Sequence, residues 1–164
     1  MKTNELVTEL EATDSFKEFK KENPDTFFAV AFFILNLENK ATQIQLDYFL
    51  PKQNKLASFE FPNKQVKIHE DEIKNANPQE TNPKIDIDQI ENKVLETLKN
   101  NNTTLKPTKI IAILKDNIWN LTAMDNSLGI IRLKLNAESG EQLSFNKGSL
   151  MDFMGIQTKK TAHK

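Results

Sequence analysis

Residues 26–38 read TFFAVAFFILNLE, thirteen positions with ten large or small apolar side chains in near-unbroken succession. The run is far too short for the roughly 18 apolar residues a membrane-spanning helix needs. It is rich in Phe, Val and Ile, which favour extended backbone. Apolar residues occupy both alternating sets, Phe28, Val30, Phe32 and Ile34 on one and Phe27, Ala29, Ala31, Phe33 and Leu35 on the other. Only a strand covered on both faces, or one central in a sheet, uses both sets this way. The run is therefore expected to lie in the middle of the fold, where two halves of the molecule meet.

Outward from this strand the pattern becomes simpler. Asn39-Lys40 marks a turn, and residues 42–50 alternate cleanly, with Ile44, Leu46, Tyr48 and Leu50 on one face and Gln43, Gln45 and Asp47 on the other. Pro51 ends that strand. Asn54-Lys55 turns the chain into a third strand at 56–61, with Ala57, Phe59 and Phe61 inward, and Val66 and Ile68 add a short edge piece. Upstream, residues 4–23 show helical spacing at Leu6, Leu10, Phe16 and Phe19. The capping-box pattern Ser15-Phe-Lys-Glu18 implies a start or restart near Phe16, and Asn23-Pro24-Asp25 ends the helix.

A polar stretch with Pro78 and Pro83 follows, and then the same order recurs. Ile87, Ile90, Val94 and Leu98 give a helix over 85–100, capped by Asp86 or Asp88. Strands are expected at 109–115, 118–124, 128–136 and 142–145, separated by turns at Asp116-Asn117, Asp125-Asn126-Ser127 and Glu138-Ser139-Gly140. Ser149 is placed to cap a short helix at 150–154. The predicted class is α+β: two tandem units of helix plus antiparallel β-meander, a pseudo-repeat, with helices packed on the antiparallel sheet. The units span 1–69 and 85–154, joined by a linker at 70–84 and followed by a disordered tail at 155–164.

The stretch 118–145 resembles the end of a PepSY-type repeat. A strand bearing Trp119, a strand led by Leu128-Gly129, and then Leu135-Asn136-Ala137-Glu138-Ser139-Gly140-Glu141 match the family's closing strand, Asp-Ala pair, Thr-Gly turn and final strand. Asn136 stands where that family usually has Asp, and Ser139 where it has Thr. The first half lacks this closing motif and carries Pro51-Lys-Gln-Asn-Lys55 in its place. The resemblance implies a cystatin-like helix-on-sheet fold and a non-catalytic role in peptidase regulation or peptide binding, often outside the cytoplasm.

Composition narrows the function classes. The 164 residues are 38% hydrophobic and 27% charged, with net charge −1, an ordinary globular balance. No basic excess serves nucleic-acid phosphate, and Arg132 is the sole arginine, so bidentate anion recognition has little to work with. Without cysteine there is no disulfide, thiolate nucleophile or cysteine zinc site. With four glycines a phosphate-cradling loop is hard to build. No cofactor is expected. His69-Glu70-Asp71-Glu72 groups a histidine with three acids, but consecutive residues in a loop read as a solvated acidic segment rather than a metal site. Asp86, Asp88 and Glu91 belong to a helix start, where capping and the helix dipole account for them. The N-terminus lacks an apolar signal core, which at face value places the protein in the cytoplasm; a signal or anchor removed ahead of Met1 would place it outside.

The expectation is thus a binding or regulatory module, not an enzyme, with a protein or peptide partner, no nucleic acid and no membrane span. The expected binding residues are Phe27, Phe33, Phe49 and Phe59, because the first meander concentrates aromatics and Phe49 interrupts a polar alternation. The strands at 55–61 and 142–145 are the candidate edges for pairing with an extended peptide. Alternatives are a small apolar-ligand binder with a cavity between helix and sheet, and a secretion-type chaperone or assembly subunit that dimerises through exposed apolar surface. Trp119 is expected in the core of the second half.

Overall fold

The computed structural model describes residues 1–149. The short helix expected at 150–154 and the tail at 155–164 lie outside the described residues. Eight strands form one fully antiparallel sheet: β1 (Phe27–Asn36), β2 (Thr42–Leu50), β3 (Lys55–Glu60), β4 (Val66–Ile68), β5 (Lys109–Lys115), β6 (Ile118–Met124), β7 (Gly129–Asn136) and β8 (Gln142–Ser149). Their spatial order is β4-β3-β2-β1-β5-β6-β7-β8. The first half of the chain supplies one side of the sheet and the second half the other. β1 and β5 are the seam, antiparallel from Val30↔Lys115 to Asn36↔Lys109. This is the central position that the apolar run at 26–38 required.

The helices are α1 (Thr3–Glu11), α2 (Asp14–Glu22) and α3 (Ile87–Asn100). The expected first helix is in fact two. The break falls at Ala12-Thr13, where the Thr13 side chain caps α2 by accepting from the Phe16 N–H at 3.2 Å. Thr13, rather than Ser15, is therefore the cap. Asp86 is the cap of α3, accepting from Ile87 N–H at 2.7 Å. The same Oδ1 also accepts from the Thr3 hydroxyl at 2.6 Å and the Thr3 N–H at 3.1 Å. One carboxylate thereby joins the first turns of α1 and α3, and so the two halves.

All three helices bury their apolar stripes against one face of the sheet. Leu10, Phe33, Leu46, Phe59, Ile90, Ile110, Leu114, Trp119, Leu121 and Leu133 are all at most 1% exposed in one continuous core. Trp119 anchors it as expected, its indole N–H donating to Ile85 O at 2.7 Å.

The central strand departs from simple alternation. A bulge between Phe28 and Val30 takes Ala29 out of register. The two apolar sets therefore exchange partners at that point. Phe28 joins Ala31, Phe33 and Leu35 on the helix side, while Phe27 joins Val30, Phe32 and Ile34 on the other face.

The stretch at 70–84 is not a free spacer. Ile73 N–H donates to Asn54 O, Gln79 N–H to Phe28 O at 2.9 Å, and Ile85 N–H to Ala137 O at 2.8 Å. Buried Gln79 exchanges two 2.9 Å hydrogen bonds with Asn117, accepting from its backbone N–H and donating to its side-chain oxygen. The segment thus runs along one end of the sheet from the first half to the second. Backbone N–H groups make the first three of these bonds, and the Gln79 side chain satisfies the turn at Asn117.

Candidate interaction surfaces

The four aromatic residues singled out from the sequence divide between the two faces. Phe33 and Phe59 are fully buried on the helix side. Phe33 meets Trp119 with ring centroids 6.0 Å apart, and Phe59 lies under α2 against Phe16 at 5.5 Å and Phe19 at 5.1 Å. Neither offers surface to a partner, because the bulge and the helix cover put them inside. Phe27 and Phe49 are cross-strand neighbours on the opposite face, 5.5 Å apart, with Phe49 only 6% exposed. The structure therefore does not bring the four together into a groove.

Of the two expected edges, only the strand at 142–145 is one. The strand at 55–61 is interior, because β4 pairs with β3 from Ala57↔Ile68 to Phe59↔Val66. β4 is the terminal strand on that side, and β8, which extends through Ser149, is terminal on the other. Antiparallel ladders alternate hydrogen-bonded and non-bonded pairs. His69 N–H donates inward to Leu56 O, so the next bonded pair is Lys67 with Ser58, and the N–H and C=O of Val66 and Ile68 point away from the sheet. Their side chains fall on the helix side, 44% and 45% exposed. Between them and α2 lies an open cleft of about 410 Å³ lined by Ser15, Glu18, Phe19, Glu22, Asn23, Gln65, Val66 and Ile68. The β3–β4 turn is held to the helices by a Lys64–Glu9 ion pair at 3.1 Å and by the Ser15 hydroxyl donating to Lys64 O at 3.3 Å.

Sequence reasoning missed a polar cluster on the face away from the helices. Asp47, Ser58 and His69, on β2, β3 and just past β4, lie side by side. Ser58 Oγ donates to Asp47 Oδ1 at 2.6 Å and also contacts His69 Nε2, and Gln45 Nε2 donates to the same Asp47 oxygen at 2.9 Å. His69 is thus half-buried and bonded, while Glu70, Asp71 and Glu72 beside it are exposed. The three residue types are those of a hydrolytic triad, but the order is different. In a triad the imidazole stands between hydroxyl and carboxylate. Here the hydroxyl stands in the middle. Its one hydrogen goes to Asp47, so His69 Nε2 must carry the hydrogen of the second contact and is not placed to take a proton from Ser58. Burial raises the Asp47 pKa above its usual value; the bonds from Ser58 and Gln45 and the charge of His69 oppose this less strongly. No sequence pattern marks the cluster, since it exists only in the β2–β3–β4 register. The one available signal was an acid at position 47 in a strand that turned out to be interior.

On the helix side, Tyr48 donates to Glu11 Oε2 at 2.7 Å. Burial, followed by that bond and the Glu11 charge, pushes its hydroxyl far above the ordinary tyrosine range.

No family model matches this sequence, and no curated protein does either. A solved structure is similar: that of a Clostridium difficile 630 protein provisionally classed as a lipoprotein. It has a TM-score of 0.49 and 12% identity over 82% of this chain and 91% of the other. Among the described residues, no helix is long and apolar enough to cross a membrane.

Proposed function

We propose that this protein is a non-catalytic module that captures an extended peptide segment of a partner protein by adding it as a ninth strand beside β4. The observation that carries the reading is the junction of an outward-facing backbone row at Val66 and Ile68 with the cleft under α2. Main-chain groups of the edge would give affinity, and alternate side chains of the peptide would enter the cleft. Phe19, Val66 and Ile68 favour apolar side chains there. Glu18 and Glu22 at the rim favour a lysine or arginine at the peptide's end. The peptide-binding and peptidase-regulating role implied by the PepSY resemblance agrees with this reading, as does the view of the two halves as related helix-plus-meander units.

The test uses a fluorescein-labelled peptide of alternating valine and threonine ending in lysine, followed by anisotropy. Wild type is expected to bind it. Ile68→Pro removes one outward N–H while leaving the β3 ladder bonds in place, and is expected to weaken binding by at least about tenfold, one lost edge bond plus one lost cleft contact. Binding unchanged in Ile68→Pro, or none by wild type, would sink the proposal.

A further inference from the structure

The face of the sheet away from the helices carries a second pattern, independent of the β4 edge. Its midline is apolar over the two middle pairs of the seam and ends in Lys115 on one side and Lys109 on the other. Cross-strand pairs Phe32↔Ile113 and Ile34↔Ile111 lie on the β1–β5 seam, all half-buried, and among the described residues no helix lies over them. The flanks differ in charge. Following the register outward from the first pair gives one straight row: Glu60, Gln45, Phe32, Ile113, Asn120, Lys134, Ser144. Glu60 on β3 and Lys134 on β7 stand equally far from the seam. Both are exposed, and neither is in an ion pair among the described residues. A hollow of about 210 Å³ opens beside Phe32, Gln45 and Glu60, and one of about 340 Å³ beside Asn120, Arg132 and Lys134.

We infer that this face binds a second copy of the same chain, through a two-fold axis parallel to the strands and passing over the β1–β5 seam. That operation turns the copy's face toward the first and exchanges left with right while preserving position along the strand. Phe32 then lies over the partner's Ile113, and Ile34 over the partner's Ile111. Gln45 lies over the partner's Asn120, and Glu60 over the partner's Lys134. Each of these contacts occurs twice, as an isologous interface requires. Lys67, one row on, falls over the corner where Asn136 N–H meets Glu141 O. Sheets packed face to face sit about 10 Å apart and within about 30° of parallel, which keeps the seam in contact and leaves the flanking charges within side-chain reach. The other two-fold, perpendicular to the strands, would stack β7 on β7 and set Arg132 and Lys134 against themselves. Pairing Glu60 with Lys134 selects the first axis, which sets Lys115 and Lys109 of the seam over the partner's Val30 and Asn36. A second copy is favoured over an unrelated partner because the row through Phe32 is complementary to itself, with Glu60 meeting Lys134 twice.

The experiment is sedimentation equilibrium of the full chain over a hundredfold concentration range, with circular dichroism confirming the fold of each variant. Wild type is expected to form a monomer–dimer equilibrium. Ile113→Lys places a charge on the seam and should leave only monomer. Glu60→Lys and Lys134→Glu should each weaken the dimer by roughly tenfold, since each turns two attractions into two repulsions. The double variant Glu60→Lys/Lys134→Glu restores both pairs and should return to within about threefold of wild type. A wild type that stays monomeric, a dimer that survives Ile113→Lys, or a double variant no tighter than its singles would overturn the inference.

Discussion

Asp47 shows how one residue's setting determines its chemistry. It lies on the helix-free face yet is 6% exposed, with both recorded hydrogen bonds on a single oxygen. Because burial holds its pKa above the unfolded value, the folded state keeps the proton to higher pH than the unfolded chain does. Between those two pKa values the folded state binds more protons, so this group's contribution to stability falls as pH rises. Asp47→Asn retains an oxygen for Ser58 and Gln45 and removes the titration. Relative to wild type, the variant is expected to be more stable at pH 7 than at pH 3.5, as read from urea midpoints at the two pH values. An equal offset at both would show that the raised pKa has no thermodynamic weight. The cluster was illegible in the sequence because residues 47, 58 and 69 come together only through register. An acid at an alternating polar position looks solvent-exposed until the neighbouring strand and the segment beyond β4 cover it.

Among elements, the helix starts are the most informative. Helical spacing located all the buried apolar positions of α3, Ile87, Ile90, Val94 and Leu98, but not the buried Thr97. It also located Leu6, Leu10, Phe16 and Phe19, but it merged α1 with α2, since two helices with a common buried side leave a nearly continuous stripe. Only the cap geometry at Thr13 separates them. Asp86 has more to do than a usual cap, because it also satisfies the N–H and hydroxyl of buried Thr3. Losing a cap costs about 1 kcal/mol, and leaving buried donors unpaired adds about 1–3 kcal/mol. Asp86→Ala is therefore expected to destabilise by roughly 2–4 kcal/mol in chemical denaturation. Thr3→Val in that background should recover part of the loss, because it removes one stranded donor. A loss under about 1 kcal/mol would mean that Asp86 acts on α3 alone.

For the whole molecule, one sheet runs through both halves. β1 shares its hydrogen bonds between β2 and β5, and Asp86 ties α1 to α3. Phe33 from the first half packs on Trp119 from the second. Truncating a buried Phe costs about 3–5 kcal/mol. Phe33→Ala is thus expected to lower stability by that amount while keeping a single transition, with Trp119 fluorescence and far-UV circular dichroism coinciding. Separate transitions would mean that each half folds alone and the seam is only a contact.

What the sequence determined by itself is the inventory and part of the sidedness: an α+β chain, the eight strands, the polar and apolar faces of β2, and the central place of the run at 26–38. Local hydrophobic periodicity and turn residues suffice for these. Asp116-Asn117 and Gly140 do take the positive φ their turns need. Only the tertiary structure decided the face on which each aromatic of β1 lies, because a one-residue bulge reverses every later side chain. It also decided which strands are edges, the pinning of 70–84 along the sheet, and the meeting of Asp47, Ser58 and His69. Each of these depends on pairing between residues distant in sequence, whose register is set by the packing of the whole sheet and not by any local pattern.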